Sequence, residues 1–374
     1  MKSSIVVLFA VAVAAAPGRA QITPTHADVP YAAQSQAQRL DVYVPPGPVP
    51  PGGFPVVIWI HGGGWSGGDK SSAAGRVAPL RARGIATVGI NYRLSGEAVF
   101  PAQIHDCRGA IRFVRAHAAQ FSLDPARVGV WGSSAGGHLS ALVATSGNDP
   151  TLEGTVGGNL AFASTVAAAA DYFGPTDILN IQLDVMNPPG STINHDAPTS
   201  PESRLVGWSQ PGQGIGDIRA NQGNPAAPYP ALVELCMRVN PITWADASDP
   251  PMLIAHGTDD TSVPLKQSTR LHEALASLGV AHQYRVVPGA GHGSLGAPTD
   301  AAVLDLFTLV LGGCFANCNA DLTPSGLPRL DVSDFGCFQG KYVLGEPYAD
   351  CNASGHLTVA DFGCFQGKYV LGCP

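Results

Sequence analysis

Apolar residues along this chain fall into short unbroken blocks, separated by longer stretches in which they recur every three or four positions. The blocks lie at 54–60, 85–90, 128–131, 166–170, 252–255 and 284–287. A segment that is apolar at every position, such as Phe54-Pro-Val-Val-Ile-Trp-Ile60, fits a strand covered on both faces, because its alternate side chains meet two different hydrophobic layers. Two shorter strand-like runs occupy 27–45, the second ending in Leu40-Asp-Val-Tyr-Val44. Helical spacing fills 102–119, 135–145, 266–278 and 300–311. Strands alternating with helices predict an α/β domain whose mainly parallel sheet is covered on both sides. Residues 178–240 break the rhythm, being rich in Pro, Gly, Asn and Gln with weak periodicity. An insert this long is uncommon in a compact domain. It reads as a cap over a functional cleft, with a mobile loop as the other reading.

The two ends differ from the middle. Lys2, the apolar stretch 5–16 and Gly18-Arg19-Ala20 have the order of a signal peptide, with cleavage expected after Ala20. About 12 apolar residues are too few to span a bilayer, so residues 1–20 predict export of a soluble protein. Six of the eight cysteines (Cys314, Cys318, Cys337, Cys351, Cys364 and Cys373) crowd into the last stretch, a density typical of disulfides in exported modules. Their pairing stays open, whereas Cys107 and Cys236 read as buried thiols. Asp334 to Gly345 recurs residue for residue at Asp361 to Gly372, which marks a small paired unit over 314–374. The 374 residues thus divide into 1–20, a domain over 21–313, and this tail. A net charge of −7 with no basic run argues against nucleic-acid binding.

Candidate chemistry sits in the loops after the apolar blocks. Gly-x-Ser-x-Gly occurs at Gly132-Ser133-Ser134-Ala135-Gly136 and again at Gly64-Trp65-Ser66-Gly67-Gly68. Only Ser134 stands between an apolar block and a helical pattern. That is the strand, sharp turn and helix that a nucleophilic serine requires. Ser66 reads as a loop residue. His61-Gly-Gly-Gly-Trp65 follows the block 54–60, and its glycines let backbone N–H groups face a substrate; Gly63 and Gly64, with Ala135, are the expected oxyanion donors. Asp260 and its neighbour Asp259 follow the block 252–255, and His292 follows 284–287. Local spacing leaves both aspartates open as the partner of His292. His61 and His256 are the alternatives as base, though each reads more readily as a loop-packing residue, and His105, His117 and His138 read as structural or exposed. No histidine and carboxylate spacing suggests zinc.

Together these stretches resemble the α/β-hydrolase esterases that include bifunctional feruloyl/acetylxylan esterases. The similarity rests on His61-Gly-Gly-Gly-Trp65, Gly68-Asp-Lys70, Asn91-Tyr-Arg-Leu94, Phe100-Pro-Ala-Gln103, the run from Leu123 to His138, Tyr172-Phe-Gly-Pro-Thr-Asp177, His256-Gly-Thr-Asp-Asp260 with Val263-Pro264, and Gly291-His292-Gly293. The resemblance implies an α/β-hydrolase fold, a Ser134, His292, Asp260 triad with Asp260 rather than Asp259 as the acid, hydrolysis of carboxylic esters without a catalytic cofactor, and a small ester or acylated polysaccharide as substrate. A serine peptidase of the same fold and a non-catalytic binding protein on this scaffold are the alternatives.

The tail has its own reading. Asp350, Asn352, Ser354, His356 and Asp361 fall at spacings of a calcium loop, with Gly355 at its sixth position. An aspartate at the twelfth position resembles dockerins. This implies a disulfide-rich, EF-hand-like module that binds calcium and a cohesin-like or cell-surface partner of a bacterial exported protein. In the first copy, Asp321 to Asp334 is too long for such a loop and contains Pro324 and Pro328.

Overall fold

The computed structural model describes residues 22–311 apart from Pro51, Asn148 and 186–192, together with the helix Val332–Val343 and a few positions between 359 and 366. The segment 1–20, the calcium-loop residues Asp350, Asn352, Ser354, His356 and Asp361, and Cys314, Cys318, Cys351, Cys364 and Cys373 lie outside the described residues. Within the tail, Cys337 is disulfide-bonded. Phe338 stacks on Phe365, its equivalent in the second repeat, with ring centroids 4.0 Å apart.

Eight strands build one sheet: β1 (His26–Pro30), β2 (Arg39–Tyr43), β3 (Phe54–Ile60), β4 (Ala86–Ile90), β5 (Leu123–Ser133), β6 (Ala168–Tyr172), β7 (Met252–Gly257) and β8 (His282–Val287). They lie in the order β1-β2-β4-β3-β5-β6-β7-β8. The first two pairings, β1 with β2 and β2 with β4, are antiparallel, and every later pairing is parallel. This is the α/β-hydrolase arrangement.

The unbroken apolar blocks are explained by burial on two faces. On β3, Phe54, Val56, Ile58 and Ile60 join one core cluster, while Val57 and Trp59 join the other. The first cluster includes Ile104 and Ile111 from the helix Ala102–Ala116, Leu139 and Leu142 from Ala135–Thr145, and Leu271 and Leu275 from Leu265–Ser277. The second includes Val77 and Leu80 from the helix Ala74–Arg81 and Phe307 and Leu311 from Ala297–Leu311. Close approach is built in at Gly129, where an added Cβ would lie 2.7 Å from the Phe307 ring. Cys107 and Cys236 are free buried thiols.

Several elements differ from their sequence expectation. β5 starts at Leu123 and runs through Asp124 to Arg127, and β6 runs two residues beyond 170. The helix Ala74–Arg81 was hidden by Pro79 and Gly75, which depress helical propensity. The described part of 178–240 contains the helices Pro201–Leu205, Ile215–Ala220 and Tyr229–Val239. Polar tethers hold it. Asp184 accepts from Gln267 and Arg270, each at 2.7 Å, Asp196 pairs with Arg219, and Trp208 donates to Asp217 at 2.7 Å. Leu205, Ile215, Ile218, Cys236 and Val239 add apolar anchors in the first core cluster, but they sit on short helices that give little period to read. Among the described residues, no helix is long and apolar enough to cross a membrane.

Candidate active site

Parallel pairing brings the carboxyl ends of β3, β5, β7 and β8 to one edge, where ligands of open α/β sheets bind. The loops leaving those ends carry His61 to Ser66, Ser134, Asp260 and His292. Register fixes their level, since Ile60 pairs with Gly132 and Ser133 with Tyr172.

Ser134 occupies a strained turn, with φ 56° and ψ −126°, directly before the helix Ala135–Thr145. Its backbone N–H donates to Tyr172 O at 2.8 Å, and its carbonyl accepts from His138 N at 2.9 Å. The flanking glycines are a steric requirement. A Cβ on Gly132 would lie 2.1 Å from Gly136 O, and one on Gly136 would lie 2.0 Å from Ile60 O. The turn therefore presents the serine hydroxyl above the sheet edge.

A hydrogen-bonded chain leads away from that hydroxyl. His292 Nε2 is 3.0 Å from Ser134 Oγ, and His292 Nδ1 is 2.7 Å from Asp260 Oδ2. Asp260 Oδ1 accepts from Ser262 N at 2.8 Å and Val263 N at 2.9 Å. The Asp260 side chain is fully buried and that of His292 is 24% exposed, so the imidazole faces the cleft and the carboxylate does not. Burial pushes the Asp260 carboxyl up, but hydrogen bonds with His256 and His292 outweigh it and hold the group well below the usual carboxylate range. An ionised acceptor at Nδ1 fixes the tautomer in which Nε2 accepts the serine proton. Asp259 is exposed and accepts from Thr258 Oγ1 instead.

The remaining expected residues also gather here. Gly63 and Gly64 have φ 112° and 56°, which turns the loop sharply. Among the described residues, the N–H groups of Gly63, Gly64 and Ala135 have no acceptor. All three residues line the same cleft as Ser134. His61 is a loop anchor: it stacks on Tyr92 at 4.4 Å, while the Tyr92 hydroxyl donates to its carbonyl at 3.0 Å. Burial lowers its imidazole pKa. His138 accepts from the Trp65 indole at 3.2 Å and also meets Val239 O at 2.8 Å. His256 is buried against Ser268 Oγ at 2.8 Å, with its Nε2 3.2 Å from Asp260. His105 and His117 contact backbone carbonyls of Thr151 and Phe113. Ser66 is exposed and, among the described residues, its hydroxyl bonds only within its own turn. Under the serine turn, burial raises the Asp171 carboxyl to about 6 despite its bond from Gly174 N at 2.8 Å. Its second oxygen has no hydrogen-bond partner among the described residues.

The cleft holds about 680 Å³. Sequence reasoning missed much of its wall. Arg76 lies over the Trp59 and Trp131 rings, 4.9 and 4.6 Å from their centroids, and pairs with Asp300 at 3.3 Å. His195 and Glu202 come from the aperiodic insert. The only sequence signal was indirect, in that a long insert between β6 and β7 has to cover something. Among the described residues, no group of three or more His, Cys, Asp or Glu side chains could hold a metal.

Sheet topology and site together define an α/β-hydrolase with a Ser, His and Asp chain at its ligand edge. The chain belongs to the BD-FAE family, whose profile matches residues 40–275. It is 31% identical over 269 residues to Esterase LipQ of Mycobacterium tuberculosis, an alignment covering 71% of this chain and 56% of that protein. Carboxylesterase NlhH of the same species is 36% identical over 181 residues, covering 47% of this chain and 50% of the relative. The chain thus spans about half the length of the curated relatives it matches. Among solved structures, a truncated form of a carbohydrate esterase from gut microbiota superposes with TM-score 0.65 at 30% identity, covering 78% of this chain and 97% of that one.

Proposed function

We propose that this protein is a serine carboxylesterase acting through an acyl-enzyme. The observation that carries the reading is the continuous bond path from Asp260 through His292 to a hydroxyl on a positive-φ turn. Ser134 Oγ attacks the ester carbonyl as its proton passes to His292 Nε2. Asp260 stabilises the imidazolium. The N–H groups of Gly63, Gly64 and Ala135 receive the oxyanion. Collapse of the tetrahedral species releases the alcohol with the proton from His292, and water, activated by the same imidazole, then frees the acid and restores Ser134. Every step uses side chains, backbone and water, so the reaction calls for no cofactor.

An acylated carbohydrate, such as an acetyl or feruloyl ester on a polysaccharide, is the substrate we propose. The likeness to a carbohydrate esterase and the open cleft support it. The insert 178–240 acts as the cap, supported by His195, Pro201 and Glu202 in the cleft wall. We further propose export through residues 1–20 and a calcium-binding, dockerin-like module over 314–374. Sequence pattern alone supports these two statements. Turnover of nitrophenyl acetate to butyrate, methyl ferulate and acetylated xylan tests the reading. Hydrolysis of at least one ester that vanishes in Ser134→Ala is expected; a chain inert on all of them contradicts it.

A further inference from the structure

One wall of the cleft carries polar groups for which ester cleavage has no use. His195 and Glu202 stand there, and Pro201 between them packs on the oxyanion loop: a Cβ on Gly64 would meet the proline ring at 3.2 and 3.3 Å. His195 Nδ1 and Glu202 Oε1 are 3.0 Å apart, and the two side chains are only 1% and 3% exposed. The backbone N–H of His195 donates to Gln182 Oε1 at 2.7 Å, which pins the segment. The other polar atoms of the pair, His195 Nε2 and Glu202 Oε2, are buried and have no hydrogen-bond partner among the described residues.

Buried polar atoms in folded proteins find partners with few exceptions, because an unmet one keeps its full desolvation cost. Two such atoms on one buried pair in the wall of the cleft that holds Ser134 are a standing cost in the free protein. A ligand can remove it. We infer that His195 and Glu202 form a subsite for hydroxyl groups of the substrate. The inference rests on the esterase reading above. In the tautomer that donates from Nδ1 to Oε1, both Nε2 and Oε2 are acceptors. Adjacent acceptors call for O–H donors. An anion is repelled by the Glu202 carboxylate, and an alkyl group leaves both atoms unmet. Both atoms are closed to water in the free protein, so they meet a hydroxyl only when a rotamer change of the pair turns them toward the cleft, where that hydroxyl competes with water for the same acceptors.

Hydroxyls could come from a sugar on the alcohol side or a phenol on the acyl side, and two substrate pairs separate these sources. The first pair is a methyl mono-O-acetyl-β-xyloside against the corresponding acetoxy-2-methoxytetrahydropyran, the same ring and methoxy group without the free hydroxyls. The second is methyl 4-hydroxycinnamate against methyl cinnamate. In the wild-type protein, kcat/KM is expected to favour the hydroxylated member of one pair by at least about tenfold, as sites built to bond a substrate hydroxyl do. In Glu202→Gln, where one acceptor oxygen becomes an amide donor, that preference is expected to shrink toward parity. Parity in both pairs for the wild type overturns the subsite, and this result needs no variant to fold. A preference that survives Glu202→Gln intact also overturns it. Turnover of nitrophenyl acetate by the wild type separates the two failures: activity without hydroxyl preference sinks the subsite alone, whereas no activity on any ester sinks the esterase reading and the subsite with it.

Discussion

At residue scale, two adjacent aspartates receive opposite assignments. Asp260 is buried on His292, whereas Asp259 is exposed and bonds Thr258. Asp260→Asn is expected to lower kcat by about four orders of magnitude, as loss of a tautomer-fixing carboxylate does. Asp259→Asn is expected to change it by a fewfold at most, and steady-state kinetics on one nitrophenyl ester compares them. Spacing alone left this pair open and the family resemblance pointed to Asp260; the physical reason is that the turn after β7 directs the Asp260 carboxylate inward onto His292 and leaves Asp259 in solvent. Asp171 makes a different prediction. Its folded-state pKa of about 6 lies above the ordinary carboxyl value of 3.8, so folding favours the protonated form. The resulting penalty is fully present above pH 6 and disappears as pH falls below the unfolded value. Relative to wild type, Asp171→Asn is therefore expected to gain about 2 kcal/mol in unfolding free energy between pH 4 and pH 7. Denaturant melts at both pH values check this, and a gain in the opposite direction contradicts the burial argument.

At element scale, the serine turn is the most constrained piece of backbone in the site. Gly132→Ala and Gly136→Ala place a methyl 2.1 and 2.0 Å from backbone oxygens, so that backbone rather than a flexible side chain has to shift. Either substitution is expected to destabilise the fold by several kcal/mol, through overpacking and backbone shifts, and to abolish turnover. A variant that melts like wild type would show that the turn tolerates movement. These glycines were legible, because the motif stands between an apolar block and a helical period. The helix Ala135–Thr145 matched its predicted span for the same reason. The helix Ala74–Arg81 and the internal structure of the insert were not legible. Pro79 masks the first. The second is held by paired side chains such as Asp184 with Arg270, which periodicity does not record. Its contribution of His195 and Glu202 to the cleft was therefore invisible in the chain.

At the scale of the whole molecule, the strands alternating with helices were enough to give the α/β class, and the order Ser134, Asp260, His292 gave the site's skeleton. Distances, the inward carboxylate and the cleft wall came only with the fold. His292 precedes the helix Ala297–Leu311, which packs on the sheet through Phe307 and Leu311. Shortening the chain to end near residue 313 is accordingly expected to leave a folded enzyme with full activity on small soluble esters. A folded but inactive product would show that the tail helps to build the site. The central claim is that Ser134 is the one activated nucleophile, and the direct test is a fluorophosphonate adduct mapped by mass spectrometry. The account predicts one adduct per chain, on Ser134, lost in Ser134→Ala and kept in Ser66→Ala. Undiminished labelling of Ser134→Ala, or an adduct on any other residue, would contradict it.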